Sequence, residues 1–400
     1  TGPAELAEAY GTPLYVYNED ILRARCREMK NLAPAQGLTV CYSTKANGNP
    51  HLLRIIREEG LIADAMSPGE LAVLHKAGFT REAINYVSNN ISGEELQLAA
   101  AESALVSVDS LDQLEDFGRL RPGGRVMVRV NPGIGAGHHA KVVTAGKETK
   151  FGVNPELFDE MLAVIARHNL VLAGLNQHVG SLFMDASSFM AAAGWLLETA
   201  GRFRGLEVID FGGGFGIPYR KYDGEKRLDL TELGHALSRL LADYRKESGF
   251  AGRFVIEPGR YIAAECGILL GAVNAVKNNG PTRYAGTNLG FSILARPMMY
   301  GSFHDVEVYP GDDAPREAMV QTIVGNICES GDILAKDREL PEIARGDILG
   351  ILDAGAYGLA MSSNYNQRMR PAEILIRSDG APKLIRRRDT IEDLLAVFPE

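Results

Sequence analysis

Two hydrophobic rhythms alternate along the first two thirds of the chain. Short apolar runs rich in β-branched residues read as strands, and between them apolar positions recur as on one face of a helix. The strand candidates are LTVCYSTKA (38–46), IADAMS (62–67), INYVS (84–88), ALVSVDS (104–110), RVMVRVN (125–131), LAGLNQHVG (172–180), VIDFGGGFG (208–216) and RFVIEPGR (253–260). HLLRIIREEG, GELAVLHKAG, SGEELQLAAAE and LDQLEDFGRL are the amphipathic segments among them. Eight such β-α units predict a (β/α)8 TIM-like barrel over residues 31–265. Beyond it the rhythm changes to strict alternation, in ILLGAVNAVK, YAGTNLGFSIL, AMVQTIVG, DILGILDAG and AEILIR. That pattern predicts a mostly antiparallel β domain over residues 266–400, giving an α/β chain of two domains. The strand-like PLYVYN (13–18) assigns residues 1–30 to the same β domain.

The tips of the predicted barrel strands are chemically unusual. In order they carry Lys45, Asp64 with Ser67, Ser88, Asp109, Asn131, His178, a glycine cluster, and Glu257 with Arg260. Enzymes of this fold build their sites at the C-terminal ends of the strands, where all eight converge. Turn or apolar residues would suffice if the tips only closed the barrel.

Composition narrows the partners. The chain is 46% hydrophobic and 23% charged, as in an ordinary soluble domain, and its formal charge of −9 argues against nucleic acid or an anionic membrane. Its densest basic run, Arg386 to Arg388, is short and reads as a solvated strand end. Neither a membrane-length apolar stretch nor a secretory signal is visible, so a cytoplasmic location is expected. Cys26, Cys41, Cys266 and Cys328 form no CxxC pair, so neither a zinc site nor a disulfide framework is expected, and no metal is assigned.

Lys45, in CYSTKAN, is costly on a buried strand as a bare cation. It needs an acidic partner or a covalent use, since a free amine condenses with an aldehyde cofactor. Taken alone, a paired or snorkelling lysine is the better account of it. The run FGGGFG, following the seventh strand, suits a phosphate site, where backbone N–H groups approach an anion without Cβ interference; a plain tight turn is the alternative. Glu257 in EPGR would face a pyridine nitrogen, keeping the ring protonated and electron-withdrawing. His178 in HVGS has a flat ring suited to stacking, and Ser181 beside it can donate to phosphate.

With these motifs in place, the chain resembles the fold-type III pyridoxal-phosphate-dependent decarboxylases, within them the diaminopimelate decarboxylases and especially their archaeal-type branch. The resemblance runs from GTPLYVYN to RPAEILI through YSTKAN, ADAMSPGEL, NPGIGAGHH with GKETKFG, HVGS, GGGFG, EPGR, RPMMYGSFH, CESGD and GAYG, in family order. It implies an alanine racemase/ornithine decarboxylase-like fold, pyridoxal 5'-phosphate as cofactor, and conversion of meso-2,6-diaminopimelate to L-lysine and carbon dioxide. Lys45 would then carry the cofactor, His178 would stack on it, and Glu257 would pair with its ring nitrogen, with Asp64 nearby. Ser181, Gly212, Gly213, Gly214, Gly216, Gly259 and Arg260 would surround the phosphate, and Tyr357 would close over it. Arg260, Arg296, Tyr300 and Tyr357 would hold the substrate, its remote carboxylate meeting the arginines in bidentate fashion. Glu329 would recognise the remote ammonium. Cys328 would come from a neighbouring subunit to protonate the substrate carbon, which implies a homodimer with shared active sites.

One stretch departs from the family. Asn288-Leu289-Gly290 stands where Asp-Ala-Gly is usual, and Ser292 replaces a common asparagine. A pocket reshaped at Asn288 and Leu289 would admit another amino acid, such as ornithine, arginine or carboxynorspermidine. A non-catalytic cofactor-binding homologue is a further alternative, although such proteins usually lose the lysine or the cysteine, and both are present here. Glu329 in CESGD favours a substrate with an amino group beside its remote carboxylate.

Overall fold

The computed structural model describes residues 2–133, 136–137 and 149–399. Ile134, Gly135, His138 and His139 of NPGIGAGHH and Gly146, Lys147 and Glu148 of GKETKFG lie outside the described residues. Strand β1 (Leu14–Asn18) comes first in the chain and belongs to the second of two large sheets. It is followed by β2 (Leu38–Ser43), β3 (Ile62–Ala65), β4 (Ile84–Val87), β5 (Leu105–Val108) and β6 (Arg125–Arg129). Next come the short β7 (Ala136–Gly137), then β8 (Val171–Asn176), the short β9 (Gly180–Ser181), β10 (Val208–Asp210) and β11 (Arg253–Ile256).

Strands β2, β3, β4, β5, β6, β8, β10 and β11 form a closed parallel barrel in that order, and the expected (β/α)8 fold is present. Closure is made by β11 against β2, with Phe254 opposite Leu38. Inside, Cys41, Val87, Leu105, Met127, Val208 and Val255 pack together, one side chain from each of six strands. Helices return the chain between strands, and their starts are set locally. Asn49, Ser67, Ser92 and Ser110 each accept a backbone N–H from the first turn of the helix that follows. Ser67, read from sequence as a strand-tip residue, is therefore a helix cap: its Oγ accepts the Glu70 amide at 3.2 Å.

The strands end earlier than their apolar runs suggest. Strand β2 stops at Ser43, and Lys45 lies on a single 3-10 turn, Thr44–Ala46. The cause is a side chain: the Thr44 N–H donates to the Asp64 carboxylate at 3.1 Å rather than to a neighbouring strand. Likewise β8, β10 and β11 end just before His178, the glycine run and Glu257.

The second sheet contains β1 with β12 (Gly267–Asn279), β13 (Thr282–Thr287), β14 (Val306–Tyr309), β15 (Ala318–Val324), β16 (Ile333–Pro341), β17 (Ile348–Ile351), β18 (Ala372–Ile376) and β19 (Pro382–Arg386). Its main path runs β16-β15-β13-β12-β1-β18-β19, with β17 pairing both β12 and β14. All neighbours are antiparallel except β1 with β18 and β13 with β15. Leu14 and Val16 of β1 lie in a core with Leu6, Leu270, Ala372 and Ile374, so the N-terminal strand is integral to this sheet. By its contacts the chain divides into a β unit (Thr1–Leu22, Pro218–Lys226 and Ala263–Glu400) and a barrel unit (Arg23–Ile217 and Arg227–Ile262). These divisions fall at 22/23 and 262/263, against 30/31 and 265/266 in the sequence reading, and Pro218–Lys226 groups with the β unit although it follows a barrel strand. No helix among the described residues is long and apolar enough to cross a membrane.

Candidate active site

The C-terminal end of the barrel gathers charge that is normally kept apart. Asp64 is fully buried and accepts the Ser43 hydroxyl at 2.9 Å as well as the Thr44 amide. Burial raises its carboxyl above the usual range, while the nearby Lys45 ammonium pulls it back down. Glu257, just past β11, is pushed well above a normal carboxyl by burial and by the charges of Asp210 and Asp64, against the pull of Lys45. Asp210, at the end of β10, is pushed up to about 7 by burial despite accepting the Gly212 amide at 2.9 Å. Lys45 is half-buried, and its charge acts on Asp64, Glu257 and His178 alike, so the lysine faces the same region as these three.

His178 shows how its ring is protonated. The Gly213 N–H donates to His178 Nδ1 at 3.1 Å, and a backbone amide can only donate. Nδ1 is therefore bare, and the neutral ring carries its proton on Nε2. Burial, Lys45 and Arg129 hold the imidazole well below its ordinary value, in the same direction.

The glycine run is required by close approach. A Cβ on Gly212 would lie 2.2 Å from the Gln177 carbonyl oxygen, and one on Gly213 would lie 2.2 Å from that of Glu257. Gly212 also has φ +72°, in the left-handed region. Gly214 and Gly216 approach the Gly180 and Phe183 carbonyls at 2.6 Å on the same measure. The loop is thus threaded between the segments that follow β8 and β11. The amides of Gly212, Gly213 and Gly216 are donated within the protein, to Asp210, His178 and Phe183. The missing side chains serve this threading, a purpose beyond the open phosphate cradle expected from sequence. Arg260 Nη2 donates to Ser181 Oγ at 2.9 Å, tying the two loops. Gly259 runs close to β2, where a Cβ would meet Ser43 and Ala46 at 3.0 Å.

The remaining predicted residues belong to the β unit. Arg296 opens the short helix Arg296–Tyr300 and is buried, and Tyr300 at its end is half-buried. Cys328 is an exposed free thiol, its amide donating to Asn366 Oδ1 at 2.9 Å. Glu329 accepts the Tyr365 hydroxyl at 2.8 Å, and Tyr357 holds a left-handed φ of +55°. Asn288 and Leu289 are engaged in the sheet. Asn288 accepts the Ala272 amide at 2.9 Å and donates to Thr12 at 2.8 Å, while Leu289 is fully buried against Gly271. Their contacts are those of sheet packing, which removes the ground for a pocket reshaped at these positions.

Sequence reasoning passed over Asp210, Arg129 and the paired amides Asn176 and Gln177. All lie at or just beyond barrel-strand ends, and the Asn176 side chain is hydrogen-bonded to Asp210. Arg129 is held below its ordinary value by burial, against the pull of Glu257, Asp109 and Asp210. The signal available was an acid two positions before three glycines, in DFGGG, and an arginine among the apolar residues of RVMVRVN.

A flat, cationic, phosphorylated aldehyde fits this set. Glu257 Oε1 is buried with no N–H donor among the described residues, and its carboxyl shares a hydrogen bond with that of Asp210, so the pair offers an acid group suited to a ring nitrogen. Lys45 supplies an amine and His178 a neutral ring. Residues 19–264 match the family model described as pyridoxal-dependent decarboxylase, pyridoxal binding domain. Across 98% of the chain and 92% of the relative, the sequence is 41% identical to a diaminopimelate decarboxylase of Methanothermobacter thermautotrophicus. It is 36% identical to the corresponding protein of Aquifex aeolicus, over 97% of the chain and 92% of the relative. A crystal structure of diaminopimelate decarboxylase superposes with a TM-score of 0.90 at 34% identity, covering 98% of this chain and 95% of that one. The Helicobacter pylori diaminopimelate decarboxylase complexed with L-lysine gives 0.91 at 28% identity, with 99% of each chain covered.

Proposed function

This chain belongs to the pyridoxal-dependent decarboxylase family, and from that membership we propose that it converts meso-2,6-diaminopimelate to L-lysine and carbon dioxide. It is a pyridoxal-phosphate-dependent decarboxylase. The observation that carries the reading is the convergence of Lys45, neutral His178 and the buried Glu257–Asp210 carboxyl pair at one end of the barrel, in a chain similar along nearly its full length to diaminopimelate decarboxylases.

When bound, pyridoxal phosphate supplies an electron-withdrawing ring that accepts the electron pair left by departing carbon dioxide. In the proposed roles, Lys45 contributes the amine that holds the cofactor and yields it to substrate. Glu257 would pair with the ring nitrogen and keep it protonated, and that positive charge would draw the raised carboxyls of Glu257, Asp64 and Asp210 back toward their ionised forms. His178, lacking a charge of its own, stacks without opposing the protonated ring. Ser181, Gly214, Gly259 and Arg260 receive the phosphate, with Tyr357 over it. Arg296, Tyr300 and Glu329 take the remote carboxylate and ammonium of the substrate. Cys328, from the second subunit of a homodimer, donates a proton to the carbon that has lost its carboxylate. A cytoplasmic setting belongs to the same proposal.

The test is direct. Cofactor-loaded protein should release carbon dioxide and L-lysine in equal amounts from meso-diaminopimelate, and should discriminate against ornithine, arginine and carboxynorspermidine. Absence of turnover with the cofactor bound would reject the assignment. Light scattering at working concentration should return a dimer mass.

A further inference from the structure

Within the β unit, Arg296 sits between two groups to which sequence reasoning gave no role. Its Nη1 lies 2.7 Å from His304 Nε2. Its guanidinium carbon stands 4.5 Å above the ring centre of Tyr219. The rings of Tyr219 and His304 meet edge to face, with centroids 5.1 Å apart at 75°. Arg296, Tyr219 and His304 are all at most 5% exposed, so the arrangement is packed on every side by protein.

The protonation state follows from the partners. His304 Nδ1 is 2.7 Å from the Leu352 carbonyl oxygen, which only accepts, so Nδ1 carries the proton. A guanidinium only donates, so Nε2 must be the bare acceptor. His304 is a neutral ring locked at both nitrogens. It turns one edge of the Arg296 fork toward itself, while the Tyr219 face fixes the plane of the fork through cation–π attraction. The two contacts constrain different features of the fork, one the direction of an N–H and the other the plane of the guanidinium.

We propose that His304 and Tyr219 are positioning residues that preset Arg296 for the remote carboxylate of the substrate, and so help make this enzyme selective for amino acids with a second carboxylate. The inference rests on the role proposed above for Arg296. It also accounts for Pro218–Lys226, which leaves the barrel sequence to join the β unit and brings Tyr219 with it. A bidentate carboxylate contact depends on the plane and rotation of the fork, and a preset fork loses less freedom on binding.

The experiment uses the cofactor-loaded enzyme and three variants: His304→Leu, His304→Gln and Tyr219→Leu. For His304→Leu and Tyr219→Leu, KM for meso-diaminopimelate should rise about tenfold or more, with kcat within about twofold of the parent. L-Lysine, which keeps the remote carboxylate, should lose affinity as a competitive inhibitor by a similar factor. Cadaverine, which lacks that group, should inhibit all forms equally. His304→Gln, whose amide oxygen can still accept from Arg296, should recover most of the parent KM. Equal losses for L-lysine and cadaverine, or kcat falling together with the thermal midpoint, would mean these residues only support the fold and would overturn the inference. Should His304→Leu fail to fold, Tyr219→Leu and His304→Gln decide it by the same comparison. Parental turnover of meso-diaminopimelate, measured alongside, separates a failure of this clamp from a failure of the assigned activity.

Discussion

The C-terminal end of the barrel and the β unit treat charge in opposite ways. In the β unit, cations meet acids directly: Arg316 donates to Asp347 at 3.1 Å and to Asp312 at 2.9 Å, and Lys221 reaches Asp353 at 2.6 Å and Glu265 at 3.0 Å. At the end of the barrel, Asp64, Asp210 and Glu257 crowd together, and burial raises all three carboxyls. Paired charges hold a structure together, whereas a buried charge left short of partners costs stability and marks a place kept for chemistry. A neutral imidazole and a tyrosine ring are among the neighbours of Arg296 and set its direction. The contrast locates functional groups better than burial alone.

The most severe way to break the contrast is to remove the barrel's lysine. Lys45→Ala should abolish turnover and the visible absorbance of the covalently held cofactor, while the circular dichroism spectrum stays that of the parent. A variant retaining that absorbance would place the covalent link elsewhere. Next in size is Cys328→Ala, which asks whether the β unit does more than bind. A lost proton donor should lower kcat by about 10²–10⁴-fold with the cofactor spectrum unchanged, and stopped-flow measurements with substrate would resolve the slowed step. An effect on KM alone would confine this unit to substrate binding.

A smaller effect tests the structural side. Leu289→Ala empties a buried site against Gly271 and should cost about 2–5 kcal/mol in urea unfolding, with little change in preference among amino-acid substrates. A switch of substrate without loss of stability would restore the idea of a reshaped pocket. The smallest effect concerns pH. Asp210 and Glu257 both titrate higher in the folded protein than in the unfolded chain, so folding binds protons. The stabilisation they contribute is complete below about pH 4 and is lost as pH rises through the folded values, about 7 for Asp210 and well above the ordinary carboxyl range for Glu257. The thermal midpoint of cofactor-free protein should therefore fall between about pH 5 and about pH 8, and Asp210→Asn should flatten that slope. A slope unchanged in the variant would assign the pH dependence to other groups.

Much of this was legible before any coordinates. Seven barrel strands lie within their predicted runs, β8 begins one residue before its run, and β1 joins the second sheet, because alternation of apolar residues and the glycine and proline breaks between them are local signals. Lys45, His178 and Glu257 could be named for the same reason: each sits at the end of a strand whose direction is known once the barrel is. Asp210 was missed because an acid before a glycine run reads equally well as a turn residue. His304 was missed although its motif was noted, since nothing in RPMMYGSFH says which side chain the imidazole will face.

The amino-acid order by itself determined the kind of each element, their succession around the barrel, and which reactive side chains stand at the strand ends. Folding in three dimensions decided the rest: the bare Nδ1 of His178, the raised carboxyls of Asp210 and Glu257, the passage of Pro218–Lys226 to the β unit, and the setting of Arg296 against His304. Periodicity is a property of neighbours along the chain, so it survives in a string of letters. Proton placement and electrostatic coupling depend on distance through space and on excluded water, and residues as far apart as His178 and Gly213, or Tyr219 and Arg296, acquire them only when packed.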